Sequence, residues 1–306
     1  MDELRVVCAR LAGNELVSAE CAALTGGIPD TEGVAVCQRL DLIPRAAFLS
    51  LGVRCLAQAP TLDALCAQIA VLPVEAERFR VEYLSLWPQN PLPKPHVVLA
   101  VADAIQAYPD LNAPQHRFLV AAQADHLWFG EILAEPARDY RGHDAKPYRT
   151  SSSLSARLAR ALVNLVAPPA QSILDPFCGT GSILLEAGAL GLQPFGLDNN
   201  IKMVGMTRRN VAHFGYAAQV ELGDARACTQ SADAIVTDLP YGRLLQQDRE
   251  VLRLVLHHTA GLAPQAVYLA EEDITPWLVD AGYARVACYR VRKHHTMSRY
   301  IHHAWK

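Results

Sequence analysis

SILDPFCGTGSILLEA, residues 172–187, is the stretch whose reading decides the fold. SILD reads as a short strand closing at Asp175, and the apolar run from Ser182 opens a helix. Between them Gly179 and Gly181 allow a tight turn in which a ligand can approach the main chain closely. The carboxyl end of such a strand is where open α/β sheets bind ligands. The spacing is not Gly-x-Gly-x-x-Gly and no P-loop lysine follows, so a phosphate cradle is poorly supported. Asp175 at the strand tip suits a cationic ligand group instead.

Downstream, strands and helices alternate. PFGLD (194–198) reads as a strand, followed by a helix from Asn199 to Phe214. AQVELGD (218–224) and DAIVTD (233–238) are the next strands, and a helix spans 247–260. AVYLAE (266–271) is a fifth strand, with a short helix over 274–281. Alternation of this kind implies a parallel sheet covered by helices on both faces. YARVACYRV and MSRYIHHAW close the chain without an intervening helix, which implies a terminal antiparallel hairpin. The fold class is therefore α/β.

Upstream the pattern is α+β. Residues 1–45 hold strands at 4–8 and 34–40 and a helix from about Asn14 to Gly26-Gly27. Residues 46–135 hold a helix capped by Thr61, a strand over 78–86, a helix ending before Pro109, and a hairpin over 116–133 turning at Ala124-Asp125. Residues 136–165 read as a polar linker followed by a helix capped by Ser152 or Ser153, with Leu154, Leu158, Leu162 and Leu165 as its apolar stripe. The alternating strands and helices then occupy 166–306.

Three more strand tips carry carboxylates. Asp198, about twenty positions after the glycine turn, has the placing of a residue that bonds ribose hydroxyls, or of a helix cap. Asp224, beside Ala225, is placed to accept from an adenine amine, or is a turn aspartate. Asp238 begins Asp238-Leu239-Pro240-Tyr241-Gly242. There a carboxylate and main-chain carbonyls can accept from an –NH2 group, Pro240 stiffens the turn, and Tyr241 offers a face for a planar base. Such a site works by positioning and electrostatics and needs no strong base.

The bulk composition narrows the class. Of 306 residues, 51% are hydrophobic and 19% charged, with a formal net charge of −3, which fits a globular protein and argues mildly against an extensive phosphate-binding surface. Local basic stretches remain, at Arg138 to Arg160 and at Arg285 to Arg299. No apolar run reaches the ~18 residues of a membrane span, and no signal peptide is read, so no membrane association and a cytoplasmic location are expected. The eight cysteines form no Cys-x-x-Cys pair and are read as reduced. The histidine pairs 257–258, 294–295 and 302–303 are adjacent; neighbours on a strand point to opposite faces, so joint metal binding by a strand pair is not expected, and no metal is read. Cys178, Trp87, Trp128 and Phe129 are read as packing residues.

KPYRTSSSLSARLARALVNLV (146–166), DPFCGTGSILLEA (175–187) and DLPYG (238–242) together resemble the THUMP-containing tRNA guanine-N2 methyltransferases, a branch of the Rossmann-like S-adenosylmethionine-dependent enzymes that act on amino groups. The resemblance implies a Rossmann-like methyltransferase domain at 166–306, a ferredoxin-like piece at 1–45 and a THUMP-like RNA-binding domain at 46–135. It implies S-adenosyl-L-methionine as cofactor, held by Asp175, Pro176, Phe177, Cys178, Gly179, Thr180, Gly181, Asp198, Asn199, Asp224 and Ala225. Asp238, Leu239, Pro240 and Tyr241 would hold the guanine, and Arg141, Lys146 and Arg149 would contact substrate. The partner would be tRNA, modified at guanine 10 ahead of 6 or 7, and the enzyme a monomer. The chain departs from the pattern at Leu239, where proline is commoner, and at Arg149-Thr150-Ser151, where relatives usually show aromatic-His-Pro.

Overall fold

A computed structural model of the chain gives the elements β1 (Glu3–Cys8), α1 (Glu15–Thr25), β2 (Val34–Val36), β3 (Leu49–Ala59), α2 (Leu62–Ile69), β4 (Arg78–Ser85), α3 (Lys94–Ala104), β5 (Tyr108–Pro109), β6 (His116–Ala122) and β7 (Leu127–Ala134). There follow α4 (Ala156–Val166), β8 (Ser172–Asp175), α5 (Ser182–Ala189), β9 (Gln193–Asp198), α6 (Ile201–His213), β10 (Gln219–Leu222) and β11 (Ala234–Asp238). The last are α7 (Gln246–Thr259), β12 (Gln265–Ala270), α8 (Thr275–Asp280), β13 (Arg285–His294) and β14 (Met297–Trp305). The structure describes all residues except 1–2, 9–14, 74–76, 90, 167, 241–245 and 295–296, and leaves out the side chains of 246–248, 292–294 and 297. The chain divides into two compact units, one of 1–10, 25–44 and 48–136, the other of 11–24, 45–47 and 137–306.

The first unit is built on a seven-stranded sheet in the order β2-β1-β3-β7-β6-β4-β5. Side-chain alternation along β6 sends Phe118 and Val120 to one face, where they pack with Leu65 of α2 and Val97 and Val101 of α3. Leu119 and Ala121 face the other way, against Trp128 and Val53. Trp128 and Phe129 are fully buried, so both are core residues. The expected hairpin is present as β6 and β7, paired antiparallel. Thr61 caps α2 by accepting from the Ala64 N–H. Two sequence expectations are corrected. The pattern of the sequence does not announce the eleven-residue β3, and because β1 pairs with it, one sheet runs across the expected division at 45/46.

The second unit holds a seven-stranded sheet in the order β10-β9-β8-β11-β12-β14-β13. Its first five strands are parallel. β14 then runs antiparallel to both β12 and β13, as the terminal hairpin required. The chain order reverses between β8 and β11, which makes the tips of these two strands the expected crevice. Among the described residues no helix is long and apolar enough to cross a membrane.

The expected linker is not a loose one. Residues 139–145 form a 3₁₀ turn that buries Tyr140 and His143 in this unit. His143 Nδ1 lies 2.6 Å from one oxygen of the buried Glu186, and Arg160 Nε donates to the other at 2.7 Å. The Arg160 guanidinium also grips Asp139 through two bonds of 3.1 and 3.0 Å. Charges buried this way are held by mutual pairing. The cap of α4 is likewise corrected: the helix starts at Ala156, whose N–H donates to Asp144 at 2.8 Å, rather than at Ser152 or Ser153.

Part of the N-terminal sequence belongs to this second unit. Buried Glu20 on α1 accepts from the Asn164 side chain of α4 at 2.7 Å and from the Ala47 N–H at 2.8 Å. The Ala47 carbonyl accepts in turn from Arg157 Nε at 3.1 Å.

Candidate functional site

A cavity of about 420 Å³ opens at the tips of β8 and β11. Its size is within the usual ~300–1,000 Å³ of small-molecule sites. Asp175 and Asp238 come from those two tips, and Asp198 and Asn199 from the tip of β9. Among the described lining residues there is no lysine or arginine, and three are aspartates. The chemistry suits a ligand with a positive group and not a phosphate.

Asp175 is almost completely buried. Its Oδ1 accepts from the Thr237 hydroxyl at 2.6 Å and from the Phe177 N–H at 3.2 Å. Burial nevertheless pushes the carboxyl up to about 7, beyond what these donors offset. A cation in the cavity would favour its charged form.

Asp198 fixes the glycine turn from the side. Its Oδ2 accepts from the Gly179 N–H at 2.9 Å and its Oδ1 from the Asn200 N–H at 2.8 Å. The cap of α6 is Asn200, whose side chain accepts from the Lys202 N–H, so the helix-cap alternative for Asp198 falls away. The turn needs its glycines. Gly179 and Gly181 have φ of +52° and +82°, in the left-handed region, and a Cβ on Gly181 would stand 2.7 Å from a methyl carbon of Thr207.

Helix α6 secures the turn from below. Thr207 donates to the Gly179 carbonyl at 2.6 Å. Asn210 donates to the Thr180 carbonyl at 2.8 Å and to the Tyr148 carbonyl at 2.7 Å. Ser153 Oγ meets Thr180 Oγ1 at 3.0 Å. Residues 148–153 are thereby tied to the turn, and Thr150, Ser152 and Ser153 line the cavity.

Asp238 closes β11, with Leu239 and Pro240 beside it on the cavity wall. The Leu239 N–H donates to the Leu269 carbonyl at 3.0 Å, and its side chain is buried, so the turn is anchored to β12. Arg299 of β14 brings a guanidinium nitrogen to 3.7 Å from Asp238 Oδ2. Tyr241 lies outside the described residues.

Of the other expected cofactor residues, Phe177, Cys178, Gly179, Thr180 and Asn199 line the cavity, while Pro176 and Gly181 only shape its turn. Cys178 packs against Leu184, Val204 and Val220, and burial pushes its thiol far up, which suits packing and not nucleophilic attack. Asp224 and Ala225 are not brought into this cavity. Asp224 lines a separate cavity of about 330 Å³ beside β10, caps the turn that follows, and pairs with Arg226. That guanidinium and the Arg226 N–H hold its carboxyl down at about 2. Arg141 and Arg149 are exposed. Lys146, expected to meet substrate, is instead buried and donates to Ser182 Oγ at the start of α5, because its long side chain turns inward under the 3₁₀ turn. Burial lowers its ammonium to about 8.

Sequence reading missed Thr237, Thr207, Asn210, Met203 and Arg299. A signal existed for two of these: Thr207 and Asn210 fall with Val204 and Val211 on the buried face of α6. Polar residues on an apolar helix face need partners, and here the partners are the turn carbonyls.

Residues 143–265 match the UPF0020 family model, the RMKL-like methyltransferase domain. The chain is 46% identical over 101 residues to a tRNA (guanine(10)-N2)-dimethyltransferase of Methanothermobacter thermautotrophicus, covering 32% of this chain and 30% of the relative. It is 31% identical over 191 residues to the enzyme of the same name from Pyrococcus abyssi, covering 58% of each. The matched regions thus span less than two thirds of either relative's length. In fold the chain is like the crystal structure of TrmN from Thermus thermophilus, with a TM-score of 0.54, 21% identity and 100% of both chains covered. The second unit is a Rossmann-like methyltransferase fold.

Proposed function

We propose that this chain, which fits the THUMP-domain tRNA methyltransferase family, transfers a methyl group from S-adenosyl-L-methionine to the exocyclic N2 of a guanine in tRNA. The observation that carries the reading is the convergence of Asp175, Asp198 and Asp238 on one cavity free of described lysine and arginine. The residues fit the cofactor. Asp175 would meet its positive end, Asp198 its ribose hydroxyls, and the open main chain of the Gly179–Gly181 turn its close approach. When bound, the cofactor supplies an electrophilic methyl group.

The protein's part is orientation. The Asp238 carboxylate and the carbonyls of Leu239 and Pro240 accept the N–H groups of the guanine amine. This directs the nitrogen lone pair into the cavity and stabilises the positive charge that grows on nitrogen. The amine loses its proton after methyl transfer, so Asp238 need not be a strong base. Tyr241 is assigned the stacking face for the base. Reaching the site requires the guanine to leave its stack.

Position 10 is the favoured target, on the strength of the relatives' names. The first unit is read as the ferredoxin-like and THUMP-like tRNA grip, recognising shape and backbone. Arg141 and Arg149 are exposed, Arg149 directly before the cavity-lining Thr150, and serve as candidate RNA contacts. We read the protein as a cytoplasmic monomer.

Incubation with radiolabelled S-adenosylmethionine and unmodified tRNA, followed by nucleoside mass spectrometry, tests the reading. N2-methylguanosine or its dimethyl form is expected. Label in DNA or protein and none in tRNA would overturn it. Asp238→Ala should keep cofactor affinity and lose transfer by roughly 10²–10³-fold, the size seen for one removed transition-state contact. Equal loss of both would mean that Asp238 serves the cofactor.

A further inference from the structure

Cys288 and His302 are directly opposed on β13 and β14, so their side chains share a face of the sheet. Asp273, between β12 and α8, reaches the same place. One ligand atom from each of the three lies within 4.8 Å of the other two. None of them lines the cavity at β8 and β11.

The histidine is unusual in its bonding. His302 is fully buried, and its ring also meets the main chain of Tyr268, its neighbour on β12. Its Nε2 faces two incompatible neighbours, the Ile274 N–H at 3.1 Å and Asp273 Oδ1 at 3.0 Å. A neutral nitrogen can accept from Ile274 but then opposes its lone pair to the carboxylate. A protonated one can donate to Asp273 but then meets the N–H head on. A cation between the imidazole nitrogen and the carboxylate oxygen relieves that opposition of lone pairs. Cys288 stands where it can supply a third ligand.

We propose that Asp273, Cys288 and His302 form a binding site for a divalent transition-metal ion of the zinc class, with a fourth position open to water. Thiolate, imidazole and carboxylate are together a zinc-type donor set. Tetrahedral zinc with bonds of about 2.0–2.3 Å sets its ligand atoms roughly 3.5 Å apart, so closing the site takes about 1 Å of side-chain movement. Binding releases the thiol proton of Cys288 to solvent, and no other bond changes. Asp273 is half exposed and gives the ion its way in. His303 does not join His302, because it takes the other face of β14, against Trp305, while the His294 and His295 side chains lie outside the described residues. His302 finds its partners across the sheet, where the sequence pattern gives no sign of them.

The test is a titration of the chelator-treated whole chain with cobalt(II), followed by absorption. The expected result is a single saturating site with a thiolate-to-cobalt charge-transfer band, reversed by zinc. Cys288→Ser should abolish the band. Asp273→Asn, at a partly exposed position, should leave the circular dichroism unchanged and weaken cobalt at least about tenfold. Absence of the band in the parent protein, or an undiminished band in Cys288→Ser, would overturn the assignment. So would unaltered affinity in Asp273→Asn, which keeps the test decisive if the cysteine variant folds poorly.

Discussion

Asp175→Asn separates the cost of the buried carboxyl from its use. In the native state the carboxyl is raised to about 7 from an ordinary value near 4, so between those values the folded chain holds a proton that the unfolded chain releases. The wild type therefore loses stability as pH rises from about 4 to 7, and the full penalty stands above 7. A rise of that size corresponds to about 4 kcal/mol. An asparagine keeps an oxygen for Thr237 and Phe177 and carries no charge to bury. The variant's advantage over wild type should grow by about 3 kcal/mol between pH 5 and pH 8, or roughly 6–10 °C in Tm for a unit of this size. Scanning calorimetry of both proteins at the two pH values measures it. Calorimetric titration with S-adenosylmethionine supplies the second half: wild-type affinity should rise with pH up to about 7, and the variant should bind weakly at every pH. A stability gap between the two proteins that does not change with pH would refute the burial argument. Undiminished cofactor affinity in the variant would remove Asp175 from the cofactor site.

Three further substitutions probe the supports of the site. Gly181→Ala should lower stability by about 1–3 kcal/mol for its left-handed φ alone, more with the contact to Thr207, and should abolish cofactor binding; thermal melts and calorimetry report both. Glu186→Gln leaves Arg160 and His143 without their shared carboxylate and should cost about 3–5 kcal/mol in urea unfolding. Lys146→Met tests whether the buried amine serves packing or substrate. The native ammonium is lowered to about 8, so wild-type stability rises with pH from about 8 to 10.5. The variant should gain about 2–3 kcal/mol at pH 7, and that gain should disappear above about pH 10.5. An unchanged KM for tRNA would agree with the inward geometry, and a raised one would return Lys146 to the substrate surface.

How far the sequence can be read depends on whether one segment contains its own reasons. The Asp175–Gly181 turn does, because strand end, glycines and helix start lie within ten residues, and the alternation that follows dictates a parallel sheet. The front half is harder. Strand β3 follows the break at Pro44 and pairs with β1 and β7, partners roughly fifty residues before it and seventy-five after it, so no local signal marks it. Lys146 looks like a surface residue because it sits in a polar, basic stretch, and only the tertiary structure supplies Ser182 as a partner. Asp224 looks like a ligand residue from its position after a strand, but the neighbouring Arg226 engages its carboxylate locally. The Asp273, Cys288 and His302 cluster draws on three separated segments and is out of reach of any motif.

The contribution of Glu20 and Ala47 to the second unit bears on the order in which the chain can fold. A ribosome releases α1 and residues 45–47 more than a hundred residues before α4 emerges. Until then Glu20 lacks its Asn164 donor, and its carboxylate has to stay hydrated. The first unit can be complete while α1 still waits for its partner, so the two units are interleaved in time. Cutting the gene at residue 136 would separate neither cleanly. The N-terminal fragment would leave Glu20 without Asn164, and the C-terminal fragment would leave Asn164 without the Glu20 carboxylate.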